Sequence, residues 1–268
     1  MDSAEVKSAV QAGIVTGEPK FVADGGAYTL VPQGTQLVDL GEYLGVPAYA
    51  KSVVAARTVA SLISYVERHK TPATSIFADV EAGKVEAVID YLTAENGPAH
   101  KAQRIVYTAP FSEEWARWTA INGRQMNQEQ FALFIEENRE DVVTPDGATM
   151  LELAKTLDAK KKVTFKSGLR LDNGAVSFDY KDETSATGGI DGKIVIPNEI
   201  ELGLPVFYGG ERYKVTALFR YRINEGKLVM WVDLHRIKHI RDAAFNDIIE
   251  AVSKALEGVP VYEASLTS

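Results

Sequence analysis

The most regular alternation of apolar and polar positions in the chain lies between Gly203 and Arg241. Tyr213, Val215, Ala217, Phe219, Tyr221 and Ile223 alternate with Lys214, Thr216, Leu218, Arg220 and Arg222. Beyond Asn224-Glu225-Gly226, Leu228, Met230, Val232 and Leu234 alternate with Lys227, Val229, Trp231, Asp233 and His235. Period two over this length predicts two strands, each burying one face. The parity of the connecting loop decides which faces coincide, because a one-residue slip sends every side chain across the sheet. A three-residue loop would set Phe219 and Tyr221 beside Lys227 and Asp233. An even loop sets them beside Leu228, Met230, Val232 and Leu234. The reading adopted is a four-residue loop, Ile223–Gly226, with Gly226 left-handed. The opposite face then carries Lys214, Arg220, Arg222, Lys227, Trp231 and His235, and Arg236 follows at a basic exit into a helix.

Elsewhere the pattern predicts a short helix at residues 3–12 and extended structure from Phe21 to Val38, broken at Asp24-Gly25-Gly26 and Pro32-Gln33-Gly34. A helix of about 20 residues is expected from Tyr49 to His69, where Val53, Ala56, Val59, Ala60, Leu62, Ile63 and Val66 form a wide apolar stripe. Ser75–Val80, Lys84–Leu92 and Gln103–Thr108 read as a three-stranded antiparallel meander with turns at Glu81-Ala82-Gly83 and Glu95-Asn96-Gly97-Pro98. Ser112 is placed to cap a helix running to Ala120. Asn127 with Gln130 has capping-box spacing for a second helix, where Phe131, Phe134, Ile135 and Asn138 share a face. A third helix is expected at Ala148–Leu157. Val163–Leu171 and Ala175–Lys181 meet at Asp172-Asn173-Gly174, a strong hairpin signal. Residues Asp182 to Gly192 read as a loop, and Lys193–Pro197 as a continuation of the sheet. Arg241–Leu256 closes the chain as an amphipathic helix with Ala244, Phe245, Ile248, Ile249 and Val252 inward.

This order implies an α+β fold: an N-terminal three-stranded meander with helices, then a C-terminal antiparallel sheet closed by an amphipathic helix. The lysine run Lys160-Lys161-Lys162 is the preferred boundary between regions 1–158 and 159–268, with a single domain as the alternative.

Charge singles out the hairpin again. Residues 203–241 hold eight Lys or Arg against Glu211, Glu225 and Asp233, a net of +5, in a 268-residue chain of net charge −8. Residues 1–150 hold 12 basic and 20 acidic side chains. A solvated face explains such charge as well as a docking surface does, whether the partner is a second copy or a polyanion. The absence of cysteine removes disulfides and thiolate metal sites and fits a reducing compartment. No apolar run is long enough to span a bilayer, so no membrane partner is expected, and the opening Met1-Asp-Ser-Ala-Glu carries no signal-peptide pattern.

Several segments resemble a known family. They are Tyr107-Thr-Ala-Pro-Phe-Ser-Glu-Glu-Trp-Ala-Arg-Trp-Thr, Met126, Gln130-Phe-Ala-Leu-Phe-Ile-Glu-Glu-Asn138 and Ala148-Thr-Met-Leu-Glu-Leu-Ala154. Phe165-Lys-Ser167, Ile196-Pro197, Leu204-Pro-Val-Phe-Tyr-Gly-Gly210, Arg220-Tyr-Arg222 and the Trp231, Leu234, Arg236 spacing extend the match. Together they resemble the YfdQ-like family of phage and prophage proteins, from about residue 20 to about residue 260. The resemblance implies a protein acting in the cytoplasm of an infected or lysogenic bacterium, and implies neither an activity nor a cofactor.

Candidate chemistry is sparse. His235 and His239 stand four apart, yet His235 ends a strand and no third ligand is evident, so no metal site is assigned. Gly188-Gly189-Ile-Asp-Gly192 lacks the spacing of a nucleotide loop and reads as a solvent turn. Glu113/Glu114, Glu136/Glu137 and Asp182/Glu183 fall on exposed faces or loops, and Trp115 with Trp118 reads as core. Two functions compete. One is self-assembly or binding of a host or phage protein through the hairpin's second face. The other is a nucleic-acid accessory role for Lys214, Arg220, Arg222, Lys227, Trp231, His235 and Arg236, with Lys160, Lys161 and Lys162 as an auxiliary basic patch.

Overall fold

A computed structural model of the chain describes residues 20–21, 27–28, 50–93, 97–98, 100–166, 179–188, 194–224 and 227–266. The chain divides into two compact units, residues 1–50 and 51–268. In the first, β1 (Lys20–Phe21) and β2 (Ala27–Tyr28) pair antiparallel on either side of the expected break. The helix expected at 3–12 lies outside the described residues.

The second unit opens with a correction. Residues expected as the start of a long helix form a strand, β3 (Ser52–Ala56), and only Val59–His69 is helical (α1). Val53 and Ala56, three apart, share one face of a helix but lie on opposite faces of a strand. The decision comes from a parallel partner some 50 residues away, Gln103–Tyr107. On the strand Val53 is 73% exposed, while Leu62 and Val66 of α1 are fully buried. Thr58 separates the two elements, its side chain accepting the Ser61 N–H at 3.1 Å as an N-cap.

The antiparallel meander forms from β4 (Ser75–Asp79), β5 (Lys84–Val88) and a later strand, but β5 ends before the expected Leu92, which pairs with Pro98 of the expected turn in a small hairpin, β6 (Leu92–Thr93) and β7 (Gly97–Pro98), inserted before β8 (Gln103–Thr108). Asp79 Oδ1 accepts the Ala82 N–H at 2.9 Å and Gly83 takes φ +63°, closing the β4–β5 turn. Ser112 caps α2 (Glu113–Ala120) through the Trp115 N–H at 2.9 Å. A short β9 (Met126–Asn127) leads into α3 (Gln128–Glu137), whose Asn127–Gln130 capping box is complete. Then come β10 (Val142–Thr144) and α4 (Gly147–Thr156).

Two further expectations change downstream. The lysine run is not a linker, because residues 160–162 lie within β11 (Asp158–Lys166). Residues 182–187 are not loop, since β12 (Asp179–Thr187) pairs with β11 along its length, Lys160 opposite Ser185 and Lys162 opposite Glu183. The Asp172-Asn173-Gly174 turn lies outside the described residues. The next strand is β13 (Glu199–Pro205) rather than Lys193–Pro197, where Ile194 makes only an isolated bridge to Gly188. The hairpin follows as β14 (Arg212–Asn224) and β15 (Lys227–Leu234), then α5 (Ile237–Ala255) and β16 (Val261–Glu263).

The elements assemble into an α+β fold with two five-stranded sheets. One has the order β16-β4-β5-β8-β3, with parallel strands at both edges of the antiparallel meander. The other is antiparallel, in the order β10-β13-β14-β15-β9. Strands cross position 158 in both directions: β9 and β10 join the C-terminal sheet, and β16 joins the N-terminal one. Among the described residues, one apolar cluster takes side chains from both sheets. Ile200, Leu202, Val215, Ala217, Met230 and Val232 line the inner face of the C-terminal sheet, all at or below 1% exposure. Phe131 of α3 packs on Phe219 with ring centres 5.6 Å apart.

Candidate functional site

The hairpin register settles what its second face carries. Ala217 lies opposite Leu234, Phe219 opposite Val232, Tyr221 opposite Met230 and Ile223 opposite Leu228. The even parity is as expected, but pairing continues to Asn224 opposite Lys227, so two residues connect the strands rather than four. Every partner is thereby displaced by two residues from the four-residue reading, which sets Arg222 opposite Lys227, and an even displacement keeps both faces in phase. Arg220 is directly across from Trp231, and Arg222 from Val229.

This outer face is partly self-compensated. Lys214 pairs with Glu201, and Arg220 Nε lies 3.7 Å from Asp233 Oδ2. Arg222 Nη2 donates to Gln125 Oε1 at 2.9 Å, and its guanidinium sits 5.7 Å from the centre of the Trp231 ring. Exposed pairs of this kind are worth only about 0–1 kcal/mol each, so they do not lock the face against a new partner. Lys227 is exposed, while Trp231, Leu218 and Val229 are half-buried beside the charges. The outer edge of β15 is covered. Gly123 N–H donates to the Val232 carbonyl at 2.8 Å, Asn122 Oδ1 accepts from the Leu234 N–H at 2.8 Å, and β9 pairs with Val229 and Met230.

The remaining expected residues spread outward. His235 and Arg236 are exposed where β15 gives way to α5, with Arg236 in the left-handed region at φ 52°. His239 is exposed one turn into α5, and no group of three metal-capable side chains occurs among the described residues. Lys160, Lys161 and Lys162 belong to the β11–β12 ribbon, outside the C-terminal sheet. Gly188 is buried rather than part of a solvent turn, since an added Cβ there would run into the Leu153 side chain. Residues 189–193 lie outside the described residues. Trp115 and Trp118 are core, with Trp118 Nε1 donating to the buried Asp141 at 2.9 Å.

A second feature was not foreseen from the sequence. Segments 107–115 and 204–210 meet. Phe111 and Phe207 form an antiparallel bridge, with rings stacked 5.5 Å apart at 12°. Tyr208 N–H donates to the Pro110 carbonyl at 2.9 Å, and Ser112 N–H donates to Val206 at 3.0 Å. Residues 207–210 then form a β-turn closed by Gly210 N–H to the Phe207 carbonyl at 3.0 Å. Gly209, third in the turn at φ +71°, adopts the conformation that glycine tolerates best. Tyr208 is thereby held out at 75% exposure.

Under this turn lies a cleft of about 260 Å³. Its apolar wall comes from Val59 of α1 and Ala244, Ile248 and Ala251 of α5. Tyr107, Phe207, Tyr208 and Tyr213 supply rings, and Glu211 and Asp247 supply the charge. The Tyr213 hydroxyl donates to Asp247 Oδ2. Burial and that carboxylate push the Tyr213 phenol up to about 12, so it stays protonated. A signal was present in the sequence, in an aromatic residue immediately before a Gly-Gly pair. It lacked meaning without the opposing segment.

Residues 3–264 match the model of a family described as an uncharacterized conserved protein, DUF2303. The chain belongs to this family. No curated protein matches, and no solved structure matches. The matched range contains both the outer sheet face and the cleft. No helix among the described residues is long and apolar enough to cross a membrane.

Proposed function

We propose that this protein is a YfdQ-like phage or prophage protein that acts without catalysis. In this reading it works in the cytoplasm of its bacterial host by associating with further copies of itself or with a host or phage protein. The observation that carries the reading is the outer face of the C-terminal sheet. Its other face is packed, yet it presents Trp231 across from Arg220 and beside the Arg222 guanidinium, with half-buried Leu218 and Val229 next to them. Tryptophan and arginine are the residue types that dominate interface energetics. A second copy offers the complementary charge, because Glu113, Glu129, Glu136, Glu137 and Glu140 are exposed on and beside α2 and α3. Opposite patches on one chain support symmetric or head-to-tail association.

Sedimentation velocity over a concentration series, at low and at high salt, tests this. The expected result is a dimer or larger species that weakens with salt. Trp231→Ala and Arg222→Glu should each weaken it about tenfold or more. A strict monomer at the highest concentration and lowest salt refutes self-association.

The Arg222–Trp231 contact favours a second reading, a nucleic-acid accessory in phage replication or recombination, since a ring with an adjacent cation is a stacking platform for bases. It requires binding of single-stranded or duplex nucleic acid that falls steeply as salt rises. No mobility shift at low salt refutes it.

A further inference from the structure

We propose that the cleft beneath the Tyr208-Gly209-Gly210 turn is a recognition site for an alkylammonium group carried on an apolar stem. Three properties of the cleft point to that chemistry. Its size comes first. At about 260 Å³ it falls just below the roughly 300–1,000 Å³ of pockets that hold drug-sized ligands, so it suits a side chain or small amine better than a nucleotide.

The second property is its walls. Tyr107, Phe207, Tyr208 and Tyr213 bring four aromatic rings to one small space, and ring faces attract cations. Tyr107 and Phe207 are buried and fixed, whereas Tyr208 stands exposed on its turn at the rim. The phenols of Tyr107 and Tyr213 both ionise above the ordinary tyrosine value, chiefly because of burial, so neither adds a negative charge at neutral pH.

The third property is the sign of its charge. Among the described residues, Glu211 and Asp247 are the only charged side chains lining the cleft, and no lysine, arginine or histidine lines it. The Tyr213 hydroxyl bond to Asp247 orients that carboxylate at the edge. A neutral apolar ligand would gain nothing from this rim and an anion would be repelled. A cation with a hydrocarbon stem satisfies both the wall and the rim. The stem contacts Val59, Ala244 and Ile248, while the ammonium meets rings and carboxylates.

Two sources share this chemistry, a lysine side chain on a protein partner and a free aliphatic amine. The full-length protein should therefore be titrated with Nα-acetyl-lysine N-methylamide, with putrescine, and with Nα-acetyl-norleucine N-methylamide as the uncharged analogue. Calorimetry gives affinity, and the amide NMR shifts of Gly209 and Gly210 give location. The expected result is ammonium binding about tenfold tighter than the norleucine analogue, with shifts at the turn. Glu211→Gln and Tyr208→Ala change exposed residues and should each weaken it severalfold while the circular dichroism spectrum is unchanged. Tighter binding of putrescine assigns the site to free amines, and tighter binding of the lysine amide assigns it to protein lysine. Equal affinity for the norleucine analogue, shifts confined to other regions, or no binding of either amine overturns the proposal.

Discussion

Truncating Asp141 to alanine isolates one buried polar contact whose cost can be worked from geometry. Trp118 is fully buried, and its indole N–H has an acceptor at 2.9 Å, Asp141 Oδ2, on a residue only 5% exposed. Alanine leaves that donor in the core without a partner, which costs about 1–3 kcal/mol. At about 2–4 °C per kcal/mol for a chain near this size, the midpoint should drop several degrees. Asp141→Asn keeps an acceptor oxygen and should cost less than about 1 kcal/mol.

The same pair of variants carries a pH signature. Burial raises the Asp141 carboxyl above its ordinary value of 3.8, opposed by the Trp118 hydrogen bond and by Arg212, whose Nη2 lies 4.0 Å from Oδ1. The folded state therefore binds this proton more tightly than the unfolded state does. Stability from this group is fully present below the unfolded value and is lost as pH rises through the folded one. Asparagine has no proton to lose, so its stability relative to aspartate should improve as pH climbs from below 4 toward neutrality. Urea unfolding followed by tryptophan fluorescence at acid and neutral pH reads both effects. An alanine variant no less stable than the asparagine variant at neutral pH refutes the hydrogen-bond argument. A pH-independent aspartate–asparagine difference refutes the burial argument.

Two further outcomes follow from the described geometry. Gly147→Ala should be severely destabilising, by more than about 3 kcal/mol, because its Cβ would overlap the Arg139 carbonyl oxygen, which is backbone and cannot swing away. Gly209→Ala meets nothing within 4 Å and should cost only about 1–2 kcal/mol for its left-handed backbone, so thermal midpoints that rank the two in the opposite order refute this reading. Tyr213 should make the protein less stable between about pH 10 and 12, because the unfolded phenol ionises before the folded one. Tyr213→Phe should flatten that stretch of the urea-midpoint profile, and an unchanged slope counts against the elevation of Tyr213 by burial and the Asp247 contact.

Local chemistry determined a good part of this structure. The caps at Ser112 and Asn127, the three meander strands, the closing helix and the parity of the β14–β15 pairing all follow from side chains within a few residues of one another. Cap geometry and two-residue alternation are short-range, so they are written in the chain. Residues 52–56 show where that stops. Their pattern is compatible with helix or strand, and only the parallel edge of β8 decides. The lysine run and residues 182–187 likewise became strands because each supplied the other's hydrogen bonds, a contact that composition does not encode.

The candidate sites divide in the same way. The outer face that carries Arg220, Arg222 and Trp231 was legible, because alternation alone assigns a face. That Lys214 meets Glu201, and that 122–127 covers the hairpin edge, came from segments placed beside it by the fold. The cleft left only one local trace, the aromatic residue before Gly209-Gly210. Its lining comes from α1, β8, the 207–211 turn, β14 and α5, and an aromatic pocket rimmed by carboxylates exists only once long-range packing has brought those five pieces together.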